Sequence, residues 1–440
     1  MRAQSRPSLR SHAAVRTAAV LTCLAVGLVA LLAAGAVDRP GDDRRASGRL
    51  LDGGAAASGL VLAAQQDDPS RPPGQTSEGI PGETAEPLEP GATLGRVRIA
   101  KERSRKLAPG VHYKRWDRID RRGRVRLHLL RVDPKAKGVS LDYATGTLVP
   151  ERRPLTTLLE ADAAIAGVNG GFFDIYDTGA PLGVGVDRER GFLHSSYYTW
   201  NNTFSLSRRG VPAIGKLQAV ATIAEYPQVE ISNINSPRVR EAKAGIYTAE
   251  WGSTMGDRIT DGQTRNVRMV LIQDGVVVAN RTTLTKGKQI EGVVLVGRGP
   301  SAEQLAELRV GTAATVTWKL PGRHRMAISG EKVLVRDGKR KVREDTQLHP
   351  RTAVGIDRKG RVMLLVADGR SEKSRGLTLK ELAKRLQEEG AVDALNLDGG
   401  GSTTMAAVNA KGNLRVTNNP SDGDQRSIPD GIAVTVRGRG

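Results

Sequence analysis

Three consecutive glycines, Gly399, Gly400 and Gly401, follow the apolar run Ala394 to Leu397 and lead into Ser402-Thr403-Thr404. Each costs about 0.5–1 kcal/mol in chain entropy relative to alanine, so three of them at the end of a buried strand need a compensating use. Close approach of the backbone, with N–H groups converging on an anion, is such a use. Upstream, Thr352 to Ile356 and Arg361 to Ala367 read as apolar strands joined by the turn Asp357-Arg358-Lys359-Gly360. Thr378-Leu379-Lys380-Glu381 has the form of a capping box, and Leu379, Leu382, Ala383 and Leu386 share one helical face before Gly390. Strand, helix and strand predict a βαβ unit with parallel strands and a right-handed crossover. The expected fold class is therefore α+β or mixed α/β: a mixed sheet with a C-terminal βαβ unit and glycine-rich loops at its strand ends, preceded by a disordered linker.

Earlier elements are less regular. Arg124 to Val132 alternates like a half-buried strand, Val139 to Ala144 follows as another, and Leu155 to Ala161 reads as a short helix with Pro154 in its first turn. Ile165 to Val168 predicts a buried strand ending in Asn169-Gly170-Gly171-Phe172-Phe173-Asp174. The stretch 187–265 shows no clear period and reads as loops. Met269 to Ile272 and Val276 to Ala279 predict a hairpin, Ala302 to Leu308 a helix, and Ala314 to Leu320 and Lys332 to Val335 strands.

The N-terminus has the pattern of an export signal or membrane anchor over residues 1–36, with Arg2, Arg6, Arg10 and Arg16 before an apolar core and Ala34-Gly35-Ala36 as the cleavage site. Residues 37–95 are rich in Pro, Gly and acidic residues and predict a disordered linker. Residues 96–153 predict basic strands packing on a catalytic domain that spans 154–437. The chain is expected to act secreted or at the cell surface, attached to the membrane where the first segment is uncleaved. With 67 Lys+Arg against 47 Asp+Glu the net charge is +20, which favours anionic partners. Aromatic residues make up 3%, too few for a single-strand nucleic-acid stacking surface, and no nucleic acid is expected as partner. The single cysteine, Cys23, lies in the apolar N-terminal run, so thiolate metal sites and cysteine nucleophiles are excluded from the domain.

If Ile356 faces Arg361 across the hairpin, Arg351 opposes Val366 and His349 opposes Asp368. The loops Asp368-Gly369-Arg370 and Asp398 to Thr404 then reach the same sheet edge, outside the carboxyl ends of their strands, where ligands bind in sheets of this kind. No nucleophile elbow, phosphate-binding P-loop, HExxH or complete dinucleotide fingerprint is present. The histidines show no metal-ligand spacing, and neither a metal nor a cofactor is expected.

The blocks Arg351 to Asp357, Val366 to Arg370, Ala394 to Met405 and Asn419 to Gly423 with Arg426 resemble, in order, the signature of the phosphodiester glycosidase family, and Asn169 to Phe173 resembles its upstream block. The resemblance implies a mixed α/β domain that hydrolyses the bond between a sugar anomeric carbon and phosphate. Such a reaction needs phosphate charge stabilisation and a carboxylate that activates water or supports an oxocarbenium-like transition state. On this reading Asp398, Asp368 and Arg351 are the catalytic candidates, Asp174 is a reserve carboxylate, and Arg351 is the bidentate phosphate clamp. Substrate contacts fall to Asn169, Gly170, Gly171, Arg370, Asn396, Gly399, Gly400, Gly401, Ser402, Thr403 and Arg426. The partner expected is a phosphorylated glycan or anionic cell-wall polymer. A non-catalytic basic module that binds such polymers, or a hydrolase of ordinary exopolysaccharide glycosides, are the alternatives.

Overall fold

The computed structural model describes residues 95–196 and 200–437 together with the short strand Glu83–Thr84. The expected signal or anchor and most of the expected linker lie outside the described residues. Glu83–Thr84, inside that linker, pairs antiparallel with Gln347–Leu348, so the segment is not featureless throughout.

β-Structure dominates. The α-helices among the described residues are Leu155–Ala161, Pro300–Ala306 and Leu379–Glu388, whereas sheets of eight, ten and five strands form the frame. The mixed α/β expectation therefore holds only in part.

In the eight-stranded sheet the order is Arg98–Ala108, Val111–Asp120, Gly123–Val132, Val362–Ala367, Arg351–Asp357, Ala391–Asn396, Val333–Arg336, Lys339–Arg340. Arg351–Asp357 pairs antiparallel with both Val362–Ala367 and Ala391–Asn396. The two strands flanking the Leu379–Glu388 helix thus run parallel as expected, but they are not neighbours. A short turn closes the local hairpin at little entropic cost, and the hairpin strand occupies the position beside Val362–Ala367 that the crossover would otherwise take.

That turn also shifts the register by one residue. Ile356 pairs with Val362 and Arg351 with Ala367, because Asp357 N–H donates to the Arg361 carbonyl while Asp357 Oδ1 accepts from the Lys359 and Arg361 amides. A one-residue slip exchanges the faces that side chains occupy. Arg351 consequently shares a face with Ala367, and His349 bridges to Leu377 instead of Asp368.

The two faces bury different partners. Leu130, Leu364, Val366, Val354 and Leu395 join Ala166, Val168, Ala406, Ile432 and Val434 of the five-stranded sheet in one core. Leu127, Leu129, Leu365, Ala353 and Ala394 pack with Leu382, Ala383 and Leu386 of the helix in another.

Residues 187–265, read from sequence as loops, hold Gly191–Ser196, Asn202–Ser207, Pro212–Lys216, Ile231–Ile234 and Ala244–Thr248 of the ten-stranded sheet. Their period is hidden by buried polar side chains that pair internally, such as Thr203 with Ser329 at 2.9 Å between hydroxyls, and by register shifts in the ladders of Asn202–Ser207 and Ile231–Ile234.

The capping box on Leu379–Glu388 is complete: Glu381 N–H donates to Thr378 Oγ1 at 3.2 Å and Thr378 N–H to Glu381 Oε2 at 3.1 Å. Thr378 Oγ1 also donates to Asp345 Oδ1 at 2.8 Å. Thr378→Ala should lower unfolding stability by about 1–2 kcal/mol in urea titration, with an unchanged m-value.

Candidate active site

The convergence expected at the sheet edge is present. Leu397 N–H donates to the Thr352 carbonyl at 2.9 Å and Gly400 N–H to the Pro350 carbonyl at 2.9 Å, which ties the triple-glycine loop to the start of the Arg351–Asp357 strand. Asp398 N–H reaches the Gly170 carbonyl at 3.0 Å.

Asn169 joins these loops. Its Nδ2 donates to the Asp398 carbonyl at 2.8 Å, and its Oδ1 accepts from Thr352 Oγ1 at 2.7 Å and from Thr404 N–H at 3.0 Å. The residue is fully buried, so its amide reads other loops of the protein. Asn396 behaves similarly, accepting Lys332 N–H at 2.5 Å on Oδ1 at the strand end. Asp174 accepts both N–H and Oγ1 of Thr178 inside its own loop.

The glycines admit close neighbours. A Cβ at Gly170 would overlap Asp430 Oδ1, and one at Gly401 would overlap the paired side chains of Arg426 and Asp422. Arg426 Nε donates to Asp422 Oδ2 at 2.9 Å, and its Nη1 lies 3.4 Å from Ser402 Oγ. Thr403 and Thr404 are 1% exposed, and their hydroxyls have no hydrogen-bond partner among the described residues. Buried hydroxyls left this way carry a desolvation cost of about 1–3 kcal/mol, which a bound oxygen-rich ligand removes.

Arg351 projects toward the helix side of the sheet, where Nε donates to the Leu377 carbonyl at 3.0 Å and Nη2 to the Gln347 carbonyl at 3.1 Å. Arg370 adopts a left-handed backbone at φ 55° and brings Nη2 to 3.1 Å from His349 Nδ1. Burial, then the charges of Arg351 and Arg370, push His349 down to about 4. The rim thus concentrates guanidinium charge around a neutral imidazole.

Asp368 faces the opposite side of the sheet. Its Oδ1 accepts Asn419 N–H at 2.9 Å, and its Oδ2 lies 3.5 Å from His128 Nε2, whose Nδ1 meets Tyr113 Oη at 2.8 Å. Sequence reading treated His128 as ordinary; its signal was its place in the inward row with Leu130 and Val132.

A second buried chain supports the Gly170–Gly171 loop. Gly171 N–H donates to Asp430 Oδ1 at 2.8 Å; Asp430 Oδ2 lies 2.8 Å from Tyr143 Oη, which lies 2.7 Å from His194 Nε2. His194 Nδ1 is 2.8 Å from the Gly183 carbonyl and therefore carries the proton. The lone Tyr143 hydroxyl proton cannot serve both neighbours. Burial pushes His194 down to about 4, so its Nε2 is an acceptor at neutral pH, and burial lifts Asp430 to about 6. In the form below pH 6 Asp430 is a carboxylic acid that donates to Tyr143 while Tyr143 donates to His194. Sequence reading missed all three residues, which lie far apart in the chain and match no motif.

Residues 247–435 match the phosphodiester glycosidase family. That stretch, less than half of the chain, is what is similar to the phosphodiester glycosidase family. It is 54% identical over 55 residues to mouse N-acetylglucosamine-1-phosphodiester alpha-N-acetylglucosaminidase, a match covering 12% of this chain and 10% of that protein. It is 37% identical over 87 residues to the SPbeta prophage-derived protein YomE of Bacillus subtilis, covering 20% and 13%. The chain thus spans about a tenth of the length of the curated relatives it matches. In fold it is similar to a solved protein from Burkholderia pseudomallei, with TM-score 0.63 and 18% identity, covering 78% of this chain and 98% of that one. Arg351, Asp368, Arg370, Asp398, the triple glycine and Arg426 lie within the matched region, whereas Asn169 and the basic strands before it lie outside.

The raised Asp430 group has a pH signature. Folded Asp430 binds its proton below about 6 and the unfolded chain only below its ordinary value of 3.8, so this stabilisation is fully present below 3.8 and lost as pH rises through 6. The stability of the wild type relative to Asp430→Asn should therefore rise by about 2 kcal/mol between pH 7 and pH 4, at roughly 1.4 kcal/mol per pKa unit. Urea unfolding across that range measures it, and the lowered His194 contributes an opposite slope common to both proteins.

Proposed function

We propose that this chain is a hydrolase that cleaves the bond between a sugar anomeric carbon and phosphate in a sugar-1-phosphodiester. The observation that carries the reading is the pair of unpartnered buried hydroxyls, Thr403 and Thr404, on a triple-glycine loop strung between Asp398 and Pro350-Arg351. Phosphate and sugar oxygens are ligands of the right chemistry for that cradle, and the guanidinium charge of Arg351 and Arg370 beside neutral His349 favours an anion there.

In this mechanism the Arg351 and Arg370 charges stabilise the departing phosphate while water adds to the anomeric carbon. The carbon–oxygen bond to phosphate breaks with its electron pair on the phosphate oxygen, and the water proton passes to a carboxylate. Asp398 is the carboxylate assigned to this step, since it opens the glycine loop. Asp368, with the His128 and Tyr113 chain behind it, is the second. Ser402, Thr403, Arg426 and the Gly399 and Gly401 amides make up the phosphate side, while the Gly400 N–H, expected to join them, is taken by the Pro350 carbonyl; Asn169, Gly170, Gly171 and Asn396 hold the loops that carry sugar contacts. The substrate class is a phosphorylated glycan or anionic cell-wall polymer met outside the cytoplasm, a location supported by the basic and apolar pattern at the N-terminus.

Purified protein should release sugar from a chromogenic sugar-1-phosphodiester. Asp398→Asn and Arg351→Ala should each lower kcat/KM by about 100-fold or more, with circular dichroism unchanged. Retention of full turnover in both variants removes the assignment. Hydrolysis of neutral glycosides but not the phosphodiester selects the glycoside alternative, and salt-sensitive polymer binding without turnover selects the binding module.

A further inference from the structure

The hairpin formed by Arg98–Ala108 and Val111–Asp120 extends the eight-stranded sheet outward and lies before the matched family region. Its register sorts the basic residues by face. Arg103 pairs with Arg115, and Arg115 with His128; Arg105 pairs with Tyr113. Directly paired residues share a face, so Arg103, Arg105 and Arg115 stand on the side of the sheet occupied by His128 and Asp368. The row continues inward through Asp117 and Arg126, and Asp368 N–H donates to the Arg126 carbonyl at 3.0 Å.

The charges along this row are uneven. Arg126 is neutralised by Asp117, with Nε to Oδ1 at 2.8 Å and Nη2 to Oδ2 at 3.2 Å. Arg103, Arg105 and Arg115 make no ion pair among the described residues, although Arg105 stacks its guanidinium 5.6 Å above the Tyr113 ring. At about 4.8 Å between strands, Arg115 and Arg103 lie about 10–15 Å from the Asp368 strand. Three uncompensated guanidinium groups on one face, with Arg103 exposed, oppose one another unless an anion lies between them.

We propose that Arg103, Arg105 and Arg115 form a subsite for a second phosphate, so that the substrate is a polyanionic glycan carrying several phosphodiesters and is held along this face while one of them reacts. The inference rests on the proposed hydrolytic reading and adds to it a substrate length and a direction of approach. A single sugar-1-phosphodiester reaches the cleft without touching the hairpin. A longer chain gains affinity from it.

The test compares wild type with Arg103→Gln/Arg115→Gln, which leaves the Arg105–Tyr113 stack in place, on a single sugar-1-phosphodiester and on a short oligomer of the same repeat. The double variant should raise KM for the oligomer by about tenfold with kcat unchanged, and leave both constants for the single unit unaltered. Titration of the oligomer against wild type and double variant at several salt concentrations gives a readout independent of turnover. The slope of log affinity on log salt should be shallower in the variant by about 1.4 for two charges removed. Equal KM values for the oligomer, or equal losses on both substrates, overturn the subsite. If wild type cleaves neither substrate, the hydrolytic reading fails by itself, and the salt titration still decides whether the hairpin holds the polymer. Single-stranded DNA of matched charge, bound as tightly as the oligomer, also overturns the glycan assignment.

Discussion

One buried amide holds the candidate site in shape. Asn169 stands at the end of a strand in the five-stranded sheet, yet its side chain bonds to residues on the eight-stranded sheet side, through Thr352 Oγ1 and the Asp398 carbonyl. The two sheets share an apolar core that resists sliding but sets no angular detail, since dispersion and burial are non-directional. Hydrogen bonds supply the direction. Because Asn169 is wholly enclosed, losing any of its partners leaves a polar group unsatisfied in a low-dielectric setting, which makes the loop arrangement strongly preferred over alternatives.

Electrostatics then separate the two sides of the same rim. On the helix side, Arg351 and Arg370 surround His349 and keep it neutral. On the sheet-packing side, Asp368 lies 3.5 Å from His128 Nε2, and His128 Nδ1 meets the Tyr113 hydroxyl. The division follows directly from strand pleat: residues next to each other in sequence, such as Ala367 and Asp368, point to opposite faces. A site built across a sheet edge thus distributes charges of both signs over two faces.

Legibility in the sequence depended on how local the cause was. The Leu379–Glu388 helix and its cap were readable because the hydrogen bonds that begin it lie within four residues. The glycine loop was readable because three glycines have few other uses. The hairpin register was missed by one position because Asp357 enlarges the turn with side-chain hydrogen bonds that an apolar pattern does not encode. Strands in the 191–248 region were missed because their polar residues are buried and paired across the sheet, which erases the alternation. The triple glycine was expected to open space for an anion, and at Gly401 the space is filled by Arg426 and Asp422 from a distant segment. No local pattern could reveal that neighbour.

The filling of that space has an evolutionary consequence. The backbone of the glycine loop is moulded from outside by the stretch between Asn418 and Arg426, whose Asn418 side chain also bonds the Thr403 carbonyl and the Met405 amide. Much of that outer stretch is solvent-facing, so it can change length and composition at small thermodynamic cost. The exposed residues between Asn418 and Arg426 can therefore vary, provided that Asn418 and Arg426 themselves keep their grip on the glycine loop.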